Sequence, residues 1–391
     1  MKKFFFTFTL DSFLMKKYVV FIWLLLWNTT GFAQNSLTLP IKNNPLPSDT
    51  LRILMIGNSF TVDVTEYIGD IIRNSGIDEK TCCLYRVTQD GSSLQTWRDK
   101  YKNNDQVQLE KKAGLLTMDI TQGTLQDILR QHWDVISLQQ VSVNSYKINT
   151  FSPFLDDLLS YINQDCLNKQ VAICWHLTWS CWEGHKVLGL QELEGWSNIV
   201  STVDQMIEKY GIDIIIPSGT AIQNARSTEL NTEKSLTRDG YHMDEGIGRY
   251  IIACTLFESL FTPVYGISIY ENRFSGSFLS KELYFGKSCA IGAVNDFHSI
   301  MNTDTLQYSE PQLIVSPSLS DGIVTLQNRN FSGAAVYTHI QLFDTTGRKV
   351  FETKELLAQK ITFDFSDLQP RLYILSVTYD GVKETFPIII R

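Results

Sequence analysis

Short apolar runs recur along this chain, each followed by a turn and a segment with helical apolar spacing, and this recurrence constrains the fold most. The first run, residues 51–56, ends in Gly57 and precedes residues 62–74, where apolar side chains recur at helical intervals. A short apolar run bounded by turn residues is typical of a buried parallel strand. The other strand and helix pairs are residues 133–138 with 154–162, 170–175 with 194–210, and 212–217 with 246–260.

This alternation predicts an α/β fold in which a doubly wound parallel sheet carries helices on both faces. Residues 280–298 are predicted to form a closing helix that packs on the sheet. We assign residues 49–300 to this α/β domain and residues 301–310 to a linker.

The pattern changes at about residue 311, where short segments with alternating apolar side chains replace the helical spacing. The turn pairs that separate these segments are Asp321-Gly322, Thr346-Gly347 and Asp380-Gly381. Several short alternating strands separated by turns are typical of a small all-β sandwich. Residues 311–391 are therefore predicted to form a second, all-β domain.

The N-terminus has the three parts of a secretory signal peptide. Lys16 and Lys17 precede the apolar residues 18–27, and small residues at Gly31 and Ala33 provide a cleavage site. We therefore predict a signal peptide over residues 1–33, with Met15 as an alternative start, and a proline-punctuated linker over residues 34–48. The protein is expected to be exported, and the apolar run is too short for a permanent membrane span.

Charge and cysteine content narrow the class further. A formal net charge of −8 argues against nucleic acid or an anionic membrane as the main partner, because both favour basic surfaces. Seven cysteines, with Cys82 and Cys83 adjacent, do not form the pattern of a disulfide scaffold. The core is expected to fold on hydrophobic burial.

Two motifs carry candidate chemistry. Ser59 directly follows the first predicted strand, where a doubly wound sheet forms its sites and a helix N-terminus offers amide donors. By itself, such a serine is more often a helix cap. Asp239 and His242 lie three residues apart before the last long helix, so one loop can supply both a base and the carboxylate that orients it. Alone, this motif is more often a solvated turn.

Together, the Gly57-Asn58-Ser59 turn and the late Asp239-x-x-His242 motif resemble those of the SGNH (GDSL-like) hydrolases. Residues 239–250 are especially similar to a mostly secreted bacterial subgroup of that family. The resemblance covers roughly residues 49–300. It implies a flavodoxin-like three-layer fold, ester hydrolysis by a Ser59–His242–Asp239 triad, and no metal or organic cofactor.

The resemblance also implies an oxyanion hole. In that family a glycine of the second motif donates its amide, which corresponds here to Gly91, beside the N–H of Ser59 itself. The third motif normally supplies an asparagine side chain from a Gly-x-Asn-Asp sequence, which is missing here. Gln140 is the predicted third donor, with Gln139 or Asn144 as alternatives.

The segment at the end of the third strand, residues 174–185, combines two cysteines and two histidines with three tryptophans. Cysteine and histidine are ligands that zinc prefers, but their spacing here is short. The placement at a strand end favours His176, Trp179 and Trp182 as lining of a substrate pocket, where aromatic faces suit a carbohydrate. Ordinary packing is the alternative for all three.

The C-terminal domain is similar to the sorting domain of type nine secretion, in the segments 316–325, 340–350 and 368–375. This similarity implies an outer-membrane secretion machinery as partner, and passage through the periplasm to the surface or medium of a Gram-negative bacterium. Arg371 stands where a glycine is usual, and the tail lacks the usual lysines. A plain β-sandwich binding module is the alternative.

The sequence thus predicts an exported esterase that removes acyl groups, with an acylated glycan as the expected substrate. The glycan is implied by the family and the secretion route. Two alternatives remain open: an acyltransferase that uses the same triad, and a non-catalytic glycan-binding protein.

Overall fold

Strand β1 (Leu51–Gly57) lies in the middle of the central sheet and is buried along its length. Its side chains alternate between two separate apolar clusters, with Ile53 and Met55 on one face and Leu54 and Ile56 on the other. A strand that is apolar on both faces requires helices on both sides of the sheet. The apolar run that the sequence shows is therefore explained by double-sided burial.

The computed structural model describes residues 50–183, 192–331 and 335–391. The predicted signal peptide, residues 1–33, and the linker, residues 34–48, lie outside these ranges. The described residues belong to one compact unit. None of the helices in this part of the chain is long and apolar enough to span a bilayer.

The first 300 residues contain eight strands and ten helices within the described ranges. After β1, the strands are β2 (Cys82–Thr88), β3 (Gln106–Gln108), β4 (Glu110–Ala113), β5 (Gln122–Thr124), β6 (Val135–Leu138), β7 (Ala172–His176) and β8 (Ile214–Ile216). The helices are α1 (Ser59–Thr65), α2 (Ile68–Arg73), α3 (Leu94–Asn103), α4 (Leu125–Leu129), α5 (Phe154–Asp165), α6 (Glu192–Tyr210), α7 (Ser218–Arg226), α8 (Ile247–Leu260), α9 (Thr262–Tyr265) and α10 (Ser280–Asn295).

The central sheet has the strand order β4-β2-β1-β6-β7-β8. All neighbouring pairs are parallel except β2 with the edge strand β4. The order reverses between β1 and β6, because the chain first adds β2 on one side and then β6 on the other. A crevice forms at such a reversal, beyond the carboxyl ends of the strands. The predicted doubly wound α/β fold is confirmed.

Residues 313–390 form two sheets around their own apolar core, in which all neighbouring strands are antiparallel except β10 with β16. One sheet has the order β10-β16-β15-β12-β13, and the other has the order β14-β11-β9. The strands are β9 (Leu313–Ser316), β10 (Leu319–Ser320), β11 (Ile323–Asn328), β12 (Val336–Asp344), β13 (Lys349–Leu357), β14 (Lys360–Asp364), β15 (Arg371–Tyr379) and β16 (Val382–Ile390). Strand β12 alternates strictly between buried and half-buried positions, as a strand with one face in a core requires. The predicted all-β C-terminal part is confirmed.

Several local predictions differ from the structure, which also contains strands β3 to β5 and helices α3, α4, α7 and α9 that were not predicted. The single helix predicted for residues 62–74 is two helices, α1 and α2, and α1 begins earlier, at Ser59. Strand β2 was not predicted, because Arg86 interrupts its apolar pattern. The Arg86 side chain is buried and its Nε donates to Glu110 on β4 at 2.7 Å, so the interruption is satisfied by a neighbouring strand.

Candidate active site

The turn between β1 and α1 presents Ser59 at the carboxyl edge of the sheet. Asn58 caps α1, because its Oδ1 accepts from the Phe60 N–H at 3.0 Å. Its Nδ2 donates to the Ser92 carbonyl at 3.0 Å and so ties the turn to the loop after β2. Gly57 has no room for a side chain, since a Cβ there would lie 2.2 Å from Oγ1 of Thr61. The strand end and the helix start are therefore held at close approach around Ser59.

Ser59, His242 and Asp239 form a continuous hydrogen-bonded chain. The His242 Nε2 lies 2.9 Å from Ser59 Oγ, and its Nδ1 lies 2.6 Å from Asp239 Oδ2. The other oxygen of Asp239 accepts the backbone N–H groups of Tyr241 at 3.1 Å and of His242 at 2.8 Å. Nucleophile, base and orienting carboxylate stand in the order that serine hydrolysis requires.

The local electrostatics keep Asp239 ionised. Partial burial raises the pKa of its carboxyl, but the hydrogen bonds from the His242 side chain and from the backbone of His242 and Tyr241 lower it more. The net pKa therefore lies below the ordinary value for aspartate. A charged carboxylate next to Nδ1 stabilises the imidazolium that forms when His242 accepts a proton.

A fully buried carboxylate, Asp63, joins α1 to the loop that carries Asp239 and His242. Its Oδ1 accepts from Arg238 Nη1 at 3.1 Å and from Arg249 Nε at 2.9 Å. Its Oδ2 accepts from the backbone N–H of Met243 at 3.0 Å. Arg238 directly precedes Asp239 and Met243 directly follows His242, so Asp63 binds both ends of the loop from the helix that begins with Ser59. Asp63 was not predicted as a site residue, although it is a lone acid in the mostly apolar stretch 60–64.

A cavity of about 360 Å³ opens at this site. Its wall includes Ser59, His242 and Arg238, and acid and amide groups from the loop after β2. The lining residues are Asn58, Ser59, Phe60, Val62, Asp90, Gly91, Val141, Ser142, Arg238, Tyr241 and His242.

Gly91 lies in this wall with a φ of +67°, a left-handed conformation that favours glycine. Within the described ranges, its N–H has no acceptor. The Ser59 N–H belongs to the first turn of α1, where amides have no acceptor inside the helix. Ser59 and Gly91, both in the cavity wall, thus each have a backbone N–H available as a donor.

The structure does not bring Gln140 to the cavity. Its Oε1 accepts from the N–H of Leu94 at 3.2 Å and of Val141 at 2.9 Å, and its Nε2 donates to the Thr150 carbonyl at 3.2 Å. Both ends of this side chain therefore hold loops together, which corrects the expectation of a third oxyanion donor at Gln140. Ser142 lines the cavity instead, two residues further along the chain.

Gln139, the alternative donor, is buried beneath Ser59 in a polar network. Its Nε2 donates to Asn58 Oδ1 at 2.7 Å, and its Oε1 accepts from Thr61 Oγ1 at 2.5 Å. His176 Nδ1 lies 3.2 Å from the same Oε1, and His176 Nε2 lies 3.0 Å from Ser218 Oγ. Asn144, the other alternative, is likewise not part of the cavity wall described above.

His176 is 1% exposed and burial lowers its pKa to about 3, so the imidazole is neutral at physiological pH. A neutral ring can donate from Nδ1 to Gln139 and accept at Nε2 from the Ser218 hydroxyl. His176 therefore supports the turn at Ser59 from below and does not line the pocket as expected.

The two predicted pocket tryptophans also serve the loops around the site. Trp179 is buried, stacks on Phe60 with ring centroids 4.2 Å apart, and donates from Nε1 to the Tyr241 carbonyl at 2.5 Å. Trp182 is half-buried, and its backbone N–H donates to the Gly240 carbonyl at 2.8 Å. Neither tryptophan is in the cavity wall. The Trp179 ring and the Trp182 backbone instead contact the loop that presents His242.

The structure describes only part of the segment 174–185, whose cysteines and histidines were considered as zinc ligands. Cys174 and Cys181 are buried and unpaired, whereas His185 lies outside the described residues. Among residues 50–183, 192–331 and 335–391, no three His, Cys, Asp or Glu side chains converge as metal ligands would.

Comparison with known proteins identifies relatives of the α/β part. A family model described as a domain of unknown function (DUF4886) matches residues 52–288. A crystal structure of a DUF4886 family protein from Bacteroides uniformis is 28% identical, with a TM-score of 0.57, over 66% of this chain and 100% of that chain. No curated protein matches.

Two further solved structures are more distant. A candidate SGNH hydrolase from Slackia heliotrinireducens is 16% identical over 54% of this chain and 98% of that chain, with a TM-score of 0.38. A carbohydrate acetylesterase from Xanthomonas citri is 10% identical over 83% of this chain and 62% of that chain, with a TM-score of 0.29.

Proposed function

This chain belongs to the DUF4886 family, and we propose that it is a serine hydrolase of the SGNH type that cleaves ester bonds. The observation that carries the proposal is the His242 imidazole, bonded through Nε2 to Ser59 Oγ at 2.9 Å and through Nδ1 to Asp239 at 2.6 Å. A serine at a helix cap needs no such base, and a solvated turn needs no buried anchor such as Asp63.

In the proposed reaction, Ser59 Oγ attacks the acyl carbonyl while His242 Nε2 takes the hydroxyl proton. Asp239 stabilises the resulting imidazolium. The alcohol then leaves with the proton from His242, and an acyl-enzyme remains on Ser59. A water molecule, deprotonated by His242, attacks this ester and releases the acid.

The N–H groups of Ser59 and Gly91 would hold the carbonyl oxygen as it becomes negative. Preorganised backbone donors are effective here because they cost no reorganisation during the reaction. Ser142, in the same wall, carries a hydroxyl that could replace Gln140 as a third donor. We propose no metal or organic cofactor for this reaction.

The proposed substrate is an O-acyl, in particular an acetyl, group on a glycan. The mixed aromatic and polar wall, with Tyr241, Arg238 and Asp90, suits a hydroxylated leaving group. An acyltransferase would pass the acyl group from the same acyl-enzyme to a second hydroxyl. The product distinguishes the two reactions, because hydrolysis releases a free acid and transfer forms a new ester.

The test uses purified protein with p-nitrophenyl acetate and acetylated xylan, and it compares wild type with Ser59→Ala. Ser201→Ala, an exposed serine on α6, is the matched control. We expect release of acetate by wild type and the control but not by Ser59→Ala, and a fluorophosphonate adduct on Ser59 by peptide mass spectrometry. Equal ester hydrolysis by Ser59→Ala would refute the proposal.

We also propose that the protein is exported, and that residues 311–391 act as a sorting domain recognised by an outer-membrane secretion machinery. The support is the sequence resemblance at both ends of the chain. Intact mass of protein recovered from the cell surface or medium of the native host tests this. We expect a mature chain that starts near residue 34 and ends near residue 310; a surface protein that retains residues 311–391 would instead favour a binding module.

A further inference from the structure

A second cavity, of about 260 Å³, lies between the α/β part and the C-terminal sheets. The α/β part contributes α10 and the segment before it, with Tyr270, Arg273, Tyr284 and Lys287. The C-terminal part contributes, among others, Tyr337 of β12. Neither part forms this cavity alone, and it contains none of the residues of the candidate active site.

Lys287 is a buried cation in this wall, only 6% exposed. Its ammonium donates to the Asn272 carbonyl at 2.8 Å, and no carboxylate in the described part of the chain forms an ion pair with it. The Glu258 carboxylate of the adjacent helix α8 is occupied by Thr262 and by the Ile269 N–H. An ammonium has three N–H groups, and only one of them has an acceptor among the described residues. The same residues supply no counter-ion for this charge.

Such a group is costly to bury. Burial lowers the pKa of Lys287 to about 8, although the nearby Cys254 thiol acts in the opposite direction. A methionine would fill a similar volume without this cost. A lysine at this place is explained if a ligand supplies the missing anion.

The rest of the wall indicates the shape and charge of that ligand. Arg273 is exposed at the cavity, and its guanidinium forms no ion pair with the described residues, so cations outnumber the single acid, Glu271. Tyr270, Tyr284 and Tyr337 are at least partly exposed and contribute aromatic surface to the wall, against which a ring can pack. The volume lies below the roughly 300–1,000 Å³ of sites for drug-sized ligands, so it suits a single ring.

We propose that this cavity binds a carboxylate carried on a six-membered ring, with the carboxylate at Lys287 and the ring against the tyrosines. The chemistry is shared by a uronic acid, whose sugar ring stacks on aromatic faces, and by an aromatic acid. The site is separate from Ser59, and its existence does not depend on the proposed esterase activity.

The test measures binding to the full chain by calorimetry and ligand-observed NMR, with glucuronate and benzoate as probes and glucose and benzyl alcohol as neutral analogues. Saturable binding of at least one carboxylate, and not of its neutral analogue, is expected. Glucuronate alone would identify a sugar acid, and benzoate alone an aromatic acid. The absence of binding by both carboxylates would overturn the proposal.

Two variants assign the binding to this cavity. Lys287→Met should weaken binding of the carboxylate probe at least tenfold. Lys102 is an exposed lysine on α3, so Lys102→Met should bind the probe like wild type. Tyr337→Ala keeps the cation and removes part of the ring surface from the C-terminal side, and it should weaken binding several-fold. Unchanged affinity in both Lys287→Met and Tyr337→Ala would overturn the site.

Discussion

Asp63 and Lys287 are both buried charges beside a cavity, but the protein treats them differently. Asp63 is fully buried and receives two guanidinium groups and a backbone N–H, so its charge is neutralised and its oxygens are satisfied. Lys287 is almost as buried, yet among the described residues it has one carbonyl acceptor and no counter-ion.

The difference separates two uses of a buried charge. A paired charge with several hydrogen bonds fixes the relative position of the elements it joins, here α1 and the loop that carries His242. An unpaired charge fixes little and reduces stability, since its desolvation is not offset. We therefore assign Asp63 to positioning of the candidate active site and Lys287 to binding of a ligand that the chain itself does not supply.

The largest expected effect tests whether the cavity that Asp63 supports is a working site. Ser59→Ala, His242→Ala and Asp239→Asn should each reduce kcat on p-nitrophenyl acetate by about 10³-fold or more, because triad members act as a unit. Steady-state kinetics and circular dichroism on the same samples provide the measurement. Combining Ser59→Ala with His242→Ala should add little to the single loss, and independent, multiplying losses would contradict a triad.

Asp63→Asn tests the paired charge directly. Removing one partner of a buried ion pair costs about 3–5 kcal/mol of unfolding free energy. In Asp63→Asn, the loosened loop should displace His242 by up to about 1 Å. We expect this to lower kcat by about 10- to 100-fold, with a smaller change in KM. Urea denaturation and steady-state kinetics on the folded fraction measure both effects.

Asp70→Asn is the matched control, because Asp70 is an exposed acid on the neighbouring helix α2 that pairs with Arg73. It should change unfolding free energy by less than about 1 kcal/mol. A normal kcat in folded Asp63→Asn would show that Asp63 does not position the loop.

His176 extends the comparison, because it is buried with no counter-ion among the described residues and avoids the cost of a buried charge by remaining neutral. Its pKa is about 3 in the folded protein and 6.5 ordinarily, so the unfolded chain binds the proton first as the pH falls. The stability from neutral His176 is complete above pH 6.5 and is lost progressively toward pH 3. Between pH 7 and pH 4, the unfolding free energy of wild type should fall by roughly 3 kcal/mol more than that of His176→Gln. Parallel stability curves for the two proteins would rule out a buried, neutral His176.

The smallest expected effect concerns the unpaired charge. At pH 7, the unfolding free energy of Lys287→Met should exceed that of wild type by about 1–3 kcal/mol. Denaturant unfolding of the two proteins measures this difference. The pKa of Lys287 is about 8 in the folded protein, below the ordinary 10.5. Wild type therefore gains stability as the pH rises from about 8 to 10.5, and its stability difference from Lys287→Met should narrow there. A destabilised Lys287→Met would mean that the ammonium contributes to the fold, contrary to the contrast with Asp63.

Sequence patterns predicted the parts of the fold that depend on local order. The apolar runs before Gly57 and at residues 133–138 are strands because burial on both faces requires continuous apolar residues. Strand β2 was missed because its charged Arg86 is satisfied by Glu110, 24 residues away. A long-range partner of this kind leaves no mark on the local pattern.

By itself, the sequence determined the alternation of strands and helices through β1, β6, β7 and β8 and pointed to the candidate triad, because Ser59 follows a strand end and one short loop carries both Asp239 and His242. Only the tertiary structure decided which way the neighbouring Gln139 and Gln140 turn, and it directed both into contacts within the protein. It also decided which charges are paired. Asp63 meets Arg238 across 175 residues, whereas no acid reaches Lys287 among the described residues. Such outcomes depend on packing between distant elements, which the residue pattern of either element alone does not contain.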